Sequence, residues 1–326
     1  MEKLSERKPA AERKLSMGQI LANLSMPILL VLLLIVFSIL SKNFLTIRNL
    51  TNILTQNAHI AVCSCAVMMI MVSGGTDLSI GYQMSVAAVL MAKTIQDGVL
   101  PVPVAIIMGI ILCMVLGGFN GIMGQLLKSH TMIITLGTMS VFRGISYLIS
   151  ESKTYNKLPE SFMFLGQGRL LGIPVNVIIM VIIVVVVSVI MSMTSIGRKI
   201  YACGDNPEAA RLAGLDVARI KVLVFTFGGL LVGIAALLLA ARSGSADSGT
   251  SGPGIEFTGI TACVLAGVAL KGGEGTLWKA IVAVYVLGVL SNGMQLIGLG
   301  AYPQYIATGL IMLVSLYLSN RNAKAM

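Results

Sequence analysis

The stretch VNVIIMVIIVVVVSVIMSM, Val175 to Met193, is apolar almost throughout, with no alternation between apolar and polar positions. Roughly 20 such residues cross the hydrocarbon core of a bilayer as a helix. A strand of a membrane barrel would alternate lipid-facing and lumen-facing residues, so a continuous run excludes that fold. Backbone polar groups in lipid must be satisfied within their own segment, which leaves the α-helix. The rest of the chain has the same character. Hydrophobic residues make up 56% of the 326 and charged residues 11%, with a mean hydropathy of +0.91, whereas a soluble domain carries roughly 25% charged residues. The fold class is an all-α polytopic membrane protein.

Ten spans are predicted: Ile20 to Leu40, Asn52 to Val72, Ile80 to Met91, Val102 to Met123, Thr131 to Ile149, Ile173 to Met193, Ile220 to Ala241, Phe257 to Leu270, Leu277 to Ile297 and Tyr302 to Leu318. This divides the chain into a basic tail over 1–19, a membrane domain over 20–318 with a polar loop at 194–219, and a short tail over 319–326. The first run is longer than a signal-peptide core, and Ser41-Lys42-Asn43 offers no cleavage site, so it is expected to stay as an anchor helix. The five cysteines, Cys63, Cys65, Cys113, Cys203 and Cys263, match no metal-ligand spacing and are read as small packing residues.

Cytoplasmic loops are enriched in lysine and arginine. With an inside N-terminus, the inside segments hold fifteen cations: Lys3, Arg7, Lys8, Arg13, Lys14, Lys128, Arg198, Lys199, Arg211, Arg219, Lys221, Lys271, Lys279, Arg321 and Lys324. The outside segments hold seven: Lys42, Arg48, Lys93, Lys153, Lys157, Arg169 and Arg242. Both termini are therefore expected in the cytoplasm. The formal charge of +10 is this orientation signal together with contact to anionic lipid headgroups. No basic stripe with interleaved aromatics points to nucleic acid.

Two of the spans, Ile80 to Met91 and Phe257 to Leu270, are short. Each adjoins a glycine-rich interruption, Ser73-Gly74-Gly75-Thr76-Asp77 before the first and Lys271-Gly272-Gly273-Glu274-Gly275 after the second. Short or broken helices in corresponding halves point to a transport pathway, and tight turns at the membrane face would give the same pattern. Gly74, Gly75, Asp77, Gly272 and Gly273 are accordingly gating or helix-break candidates. A weak internal repeat supports two related halves: Asn120-Gly121 precedes Thr135-Leu136-Gly137 as Asn292-Gly293 precedes Ala307-Thr308-Gly309, and in this topology the repeat is inverted. The two double-glycine loops do not align at that offset.

Intramembrane ionisable groups are costly and usually functional, which singles out His59 and Arg143. With the neutral polar residues Asn57, Asn120, Thr135, Thr138 and Asn292 they form the candidate solute pathway, suited to an uncharged polyhydroxylated solute. Interhelical hydrogen bonding accounts for the same neutral residues. Asp77 or Ser79 can alternatively cap the helix that begins near Ile80.

In the polar loop, Asn206 can cap a helix, Pro207 suits its first position, Glu208 faces the positive end of its dipole and Gly214 supplies a left-handed stop. The spacing predicts a helix of about two turns over Pro207 to Ala213. Glu208-Ala209-Ala210, followed by Arg211 and then Gly214, resembles the short coupling helix that permeases of ABC transporters seat in a groove of their ATPase. Ser73-Gly74-Gly75-Thr76-Asp77-Leu78-Ser79-Ile80-Gly81 resembles the SGGxDLSxG signature of the ribose-type monosaccharide ABC permeases, with Thr76 where an aliphatic residue is more usual. Similar stretches at Thr135 to Thr138, Arg143-Gly144, Gly204 to Asn206 and Gly267 to Gly275 extend the likeness over nearly the whole chain. The resemblance implies a permease subunit of the bacterial inner membrane for a monosaccharide. It also implies a second permease copy or paralogue, a cytoplasmic ABC ATPase that holds ATP and Mg2+, and a periplasmic or lipid-anchored sugar-binding protein.

No G-x-x-x-x-G-K-[ST] loop, H-E-x-x-H or G-x-S-x-G occurs, and the two histidines are too few for a metal site, so neither ATPase nor hydrolase chemistry is expected of this chain. One rival keeps the ABC machinery and changes the cargo to a nucleoside, a branched-chain amino acid or a furanosyl signalling molecule. The other is an ion-coupled secondary carrier, which needs paired intramembrane carboxylates that the sequence reading does not find.

Overall fold

A computed structural model describes residues 17–324. The tail cations Lys3, Arg7, Lys8, Arg13 and Lys14 lie outside the described residues. The ten expected spans correspond to α1 (Met17–Leu40), α2 (Ile47–Val72), α3 (Ile80–Gln96), α4 (Val102–Leu126), α5 (Thr131–Ser150), α7 (Val175–Met193), α10 (Val217–Ser243), α11 (Ile255–Leu265), α12 (Leu277–Leu296) and α13 (Ala301–Lys324). Between them stand a short α6 (Glu160–Gln167), a two-stranded antiparallel hairpin of β1 (Arg169–Leu170) and β2 (Ile173–Pro174), and α8 (Ser195–Asp205) and α9 (Pro207–Leu212). Among the described residues, six helices (α2, α4, α5, α7, α10 and α12) are long and apolar enough to cross a membrane by length and composition, and Met26–Leu40 and Ile255–Leu265 are shorter apolar helices.

Several boundaries move. The third span is not stunted, because α3 continues to Gln96. The eighth is shorter than expected, since α11 stops at Leu265 and Gly267 turns the chain at a φ of 82°. The polar loop contains two helices instead of one: Thr194 accepts from Gly197 N and starts α8, then Asn206 starts α9. Residues 319–324, expected as tail, continue α13.

The inverted repeat is visible in the packing. α10 packs against α4 and α3 as α2 packs against α12 and α11, and α3 meets α5 as α11 meets α13. α1, against α12, and α7, against α2, stand outside this pattern. The pairing of the breaks is corrected. Ser73-Gly74-Gly75-Thr76-Asp77-Leu78-Ser79 corresponds to Ser243-Gly244-Ser245-Ala246-Asp247-Ser248-Gly249, not to the loop at Lys271 to Gly275. In each, a Ser-Gly ends the preceding helix with the glycine at positive φ, 78° for Gly74 and 66° for Gly244. In each, the aspartate Oδ1 then accepts from the backbone N–H two residues on, at 2.8 Å in both Ser79 and Gly249.

The two breaks lie at opposite ends of α5. Thr76 N donates to Thr131 Oγ1 at 2.9 Å and Leu78 N to Thr135 Oγ1 at 3.1 Å, while Ser248 Oγ bonds Ser150 Oγ at 2.7 Å and Ser146 Oγ donates to Ser248 Oγ at 3.0 Å. A helix of this length spans about 28 Å, so the two breaks are held about that far apart along it.

The crossing of α4 with α10 is made by small residues. A Cβ on Gly117 would overlap the carbonyl oxygen of Phe225, one on Gly229 the carbonyl of Cys113, and one on Gly233 would stand 2.7 Å from Ile110 Cα. Gly117 thus meets Gly229 at the crossing, with Gly121 against Val222 and Gly233 against Ile110 on either side, the small-residue arrangement that lets membrane helices approach backbone to backbone.

Candidate functional site

The site is built where three glycine-bearing segments converge at the end of α2. A Cβ on Gly204, near the end of α8, would overlap the carbonyl oxygen of Val72 and come within 2.7 Å of Gly273 N. One on Gly272 would stand 2.7 Å from Gly74 Cα, and one on Gly273 2.5 Å from Asp205 Cα. Gly272 and Gly273 both have positive φ, so side chains are excluded there by conformation as well as by space. Hydrogen bonds close the junction: Gly273 N donates to Val72 O at 2.9 Å, and Tyr201 Oη of α8 donates to Gly275 O at 2.8 Å. Burial pushes the Tyr201 phenol up, so it remains a donor. The two double-glycine loops are not repeat equivalents, but both are clamped onto the polar helical segment.

That segment is rigid to its tip. Asn206 Oδ1 accepts from Ala209 N at 2.9 Å, Gly214 takes φ 83°, and Gly214 N and Leu215 N return to Arg211 O and Ala210 O at 3.0 Å, a Schellman stop. Glu208, Ala209 and Arg211 are exposed. Ala210 is buried against Cys203 and Val217, so of the two alanines only Ala209 faces outward. Leu212, which the sequence reading passed over, is 90% exposed at the end of the helix.

Behind the junction, Asp77 is buried and answered by side chains from two other helices. Ser79 Oγ donates to Asp77 Oδ1 at 2.6 Å, and Gln83 Nε2 to Oδ2 at 2.9 Å. Asn120 Nδ2 reaches Oδ2 at 3.3 Å and Ser79 Oγ at 2.8 Å. Neither Asp77 nor Ser79 caps α3 through its side chain, because Ser79 Oγ is committed to Asp77. On the other side of the α3 start sits a second buried carboxylate, Glu256, whose Oε2 accepts from Gly254 N at 3.0 Å and fills the space beside Gly81. The structure therefore buries two carboxylates on either side of the α3 start, Asp77 and Glu256.

The pathway candidates sit at several places in the fold. Thr135 holds the first break, and Thr138 Oγ1 turns back to Thr135 O. Asn57 bonds Ile53 O at 2.8 Å in a notch left by Gly288. His59 is buried with Nδ1 unpartnered. Asn292 exchanges amide hydrogen bonds with Asn49 at 2.9 and 3.0 Å. Arg143 is exposed, midway along α5, with its guanidinium 5.9 Å from the Tyr82 ring and 6.0 Å from the Tyr147 ring. Around it, Gly137 and Gly144 open onto space, as does Gly309, the repeat equivalent of Gly137 on α13.

At the start of α2, about 38 Å from the junction by helix length, a cavity of about 770 Å3 opens between α2, α6, the hairpin and the end of α10. Arg48, Arg169 and Arg242 line it with Asn43, Asn49 and Asn52, and no carboxylate does. The three arginines entered the sequence reading only as orientation charges. No spacing in the chain connects them, since they come from three elements.

A family model described as "Branched-chain amino acid transport system / permease component" matches residues 49–316. The chain is 33% identical over 296 residues to the ribose import permease protein RbsC of Bacillus subtilis, covering 90% of this chain and 91% of the relative. It is 32% identical over 316 residues to the L-arabinose transport system permease protein AraH of Escherichia coli, covering 97% and 96%. It is also 32% identical over 308 residues to the probable ABC transporter permease protein YphD of Escherichia coli, covering 91% and 90%. No solved structure matches the chain.

Proposed function

Because the chain belongs to the permease family whose model covers residues 49–316, we propose that it is the membrane subunit of an ATP-driven importer for a monosaccharide. A separate ATPase, holding ATP and Mg2+, seats α9 through Glu208, Ala209, Arg211 and Leu212. The face carrying α8 and α9 is cytoplasmic, a side that the distribution of lysine and arginine supports, and both termini lie on that side. On the opposite face a periplasmic or lipid-anchored binding protein delivers solute at the cavity lined by Arg48, Arg169 and Arg242. The ribose and arabinose named for the relatives supply the substrate class.

The observation that carries this reading is the backbone contact of Gly204 with Val72 and Gly273. Motion imposed on α9 passes through Gly204 to the break after α2 and the loop before α12, with no flexible linker between them. A second copy of the chain completes the transporter. Its place is the α5 face, because an arginine midway along a membrane helix cannot be left to lipid cheaply, and the open glycines beside Arg143 allow close approach.

The test is ATP-driven uptake in proteoliposomes by the chain assembled with its ATPase. Glu208→Lys is expected to abolish uptake while leaving membrane insertion intact, and normal uptake would remove the coupling role. The Asp77 and Glu256 pair keeps an ion-coupled carrier as a second reading. Against it, Asp77 is already answered by several donors. Uptake by the purified chain alone under a sodium or proton gradient would favour the carrier.

A further inference from the structure

A second cavity, of about 490 Å3, is wedged between α7, α8 and α10 below the turn that follows α9. It is graded from end to end. At the level of α8 and the start of α10 its rim is Lys199, Asp216 and Arg219; further along α10 the walls are Ile190, Leu223 and Phe227. From Asp216 to Phe227 the helix rises about 16 Å, the charged end at the membrane interface and the apolar end within the hydrocarbon. Ile196 and Leu223, on opposite walls, are 59% and 60% exposed, so the slot is open sideways to the bilayer.

We propose that this slot is a binding site for one anionic phospholipid, with an acyl chain between α7 and α10 and the headgroup phosphate held by Lys199 and Arg219. The charge at the rim selects the occupant. Lys199 is in no ion pair among the described residues, and the Arg219 contact to Asp216 is 3.6 Å between side chains 79% and 57% exposed, a geometry that contributes little and leaves the guanidinium free for a stronger acceptor. A surface-lying helix with cations on its polar face and isoleucines on the other is the usual frame for anionic headgroups, and α8 presents Lys199 beside Ile196 and Ile200. The lipid would wedge α8 against α10, on the helix that carries Gly204, so that headgroup charge bears on the coupling segment. This site does not depend on the identity of the transported solute.

The test is native mass spectrometry of the full chain released from detergent with either phosphatidylglycerol or phosphatidylcholine of identical acyl chains. The chain is expected to retain one phosphatidylglycerol and to lose phosphatidylcholine. Lys199→Glu with Arg219→Glu, both at exposed positions, lowers phosphatidylglycerol retention by roughly 30-fold, the combined effect of two cations at an anionic headgroup. Leu223→Trp, which fills the slot, lowers it without changing charge. Glycerol phosphate without acyl chains does not compete, which separates a lipid site from a phosphate site. Equal retention of the two lipids, or retention unchanged in the charge-reversed variant, overturns the proposal. So does loss of a bound second copy in Leu223→Trp with no lipid selectivity, which would assign the slot to the subunit interface.

Discussion

Gly204 stands so close to Val72 that a single added methyl group would occupy the position of the Val72 carbonyl oxygen. The contact joins the end of α8, in the polar segment between α7 and α10, to the last residue of α2, and Val72 O is at the same time the acceptor for Gly273 N. Three segments far apart in sequence meet at one peptide group. Because packed backbone does not deform smoothly, a displacement of α8 and α9 must move the other two segments or break the contact.

Asn206 fixes the tip of this lever. Asn206→Ala removes the bond to Ala209 N and is expected to cost about 1 kcal/mol of local helix stability, with Asn206→Asp close to neutral. Hydrogen exchange of the amides of Ala209 to Leu212 in the full chain reads this directly. Unchanged protection in the alanine variant would show that the cap does not hold α9.

The cluster around Asp77 is expected to be worth more than any one of its bonds. Asp77→Ala removes the acceptor of Ser79 N and Ser79 Oγ and one of the two acceptors of Gln83 Nε2 and Asn120 Nδ2, a loss of about 1 to 3 kcal/mol. In a double-mutant cycle, Asp77→Ala and Asn120→Leu should fall short of additivity by about 0.5 kcal/mol or more, measured by thermal unfolding in detergent. Simple additivity would separate Asn120 from the break.

Glycines that look alike in the sequence are expected to behave differently. Gly229→Val collides with α4 backbone and should destabilise the chain by about 1 to 3 kcal/mol or more, the cost of overpacking. Gly137→Leu points into open space in one copy and should leave the unfolding midpoint of the isolated chain unchanged while abolishing dimerisation, read by size-exclusion chromatography with light scattering. A dimer that survives Gly137→Leu would move the interface away from α5.

The helices were legible because continuous apolar runs such as Val175 to Met193 admit one solution in lipid, and Asn206, Pro207 and Gly214 mark the start and stop of a short helix by local chemistry. Depth was not legible. The interruptions at Ser73 to Asp77 and Lys271 to Gly275 are both rich in glycine but do not align in the repeat, and the counterpart of the first, Ser243 to Gly249, carries one glycine fewer between its serine and aspartate and matches instead in the left-handed stop and the aspartate turn. The Gly117-x-x-x-Gly121 and Gly229-x-x-x-Gly233 motifs are present in the sequence, and Gly117 and Gly229 meet where α4 crosses α10. Asn57, Asn120, Thr135 and Asn292 were correctly seen as polar residues in helices, but composition cannot distinguish a side chain that lines a cavity from one that bonds a neighbouring helix. Arg48, Arg169 and Arg242 share a cavity only because three elements end at the same place.

The most direct measurement is the rate of ATP-driven solute uptake in proteoliposomes holding the chain with its ATPase, compared between the unaltered chain and Gly204→Val at equal amounts of assembled complex. A side chain at Gly204 forces α8 away from Val72, and uptake is expected to fall roughly tenfold or more, a loss of about 1.4 kcal/mol in the driven step, while nucleotide hydrolysis continues. Uptake at the unaltered rate in the Gly204→Val complex would contradict the transmission of force through this contact.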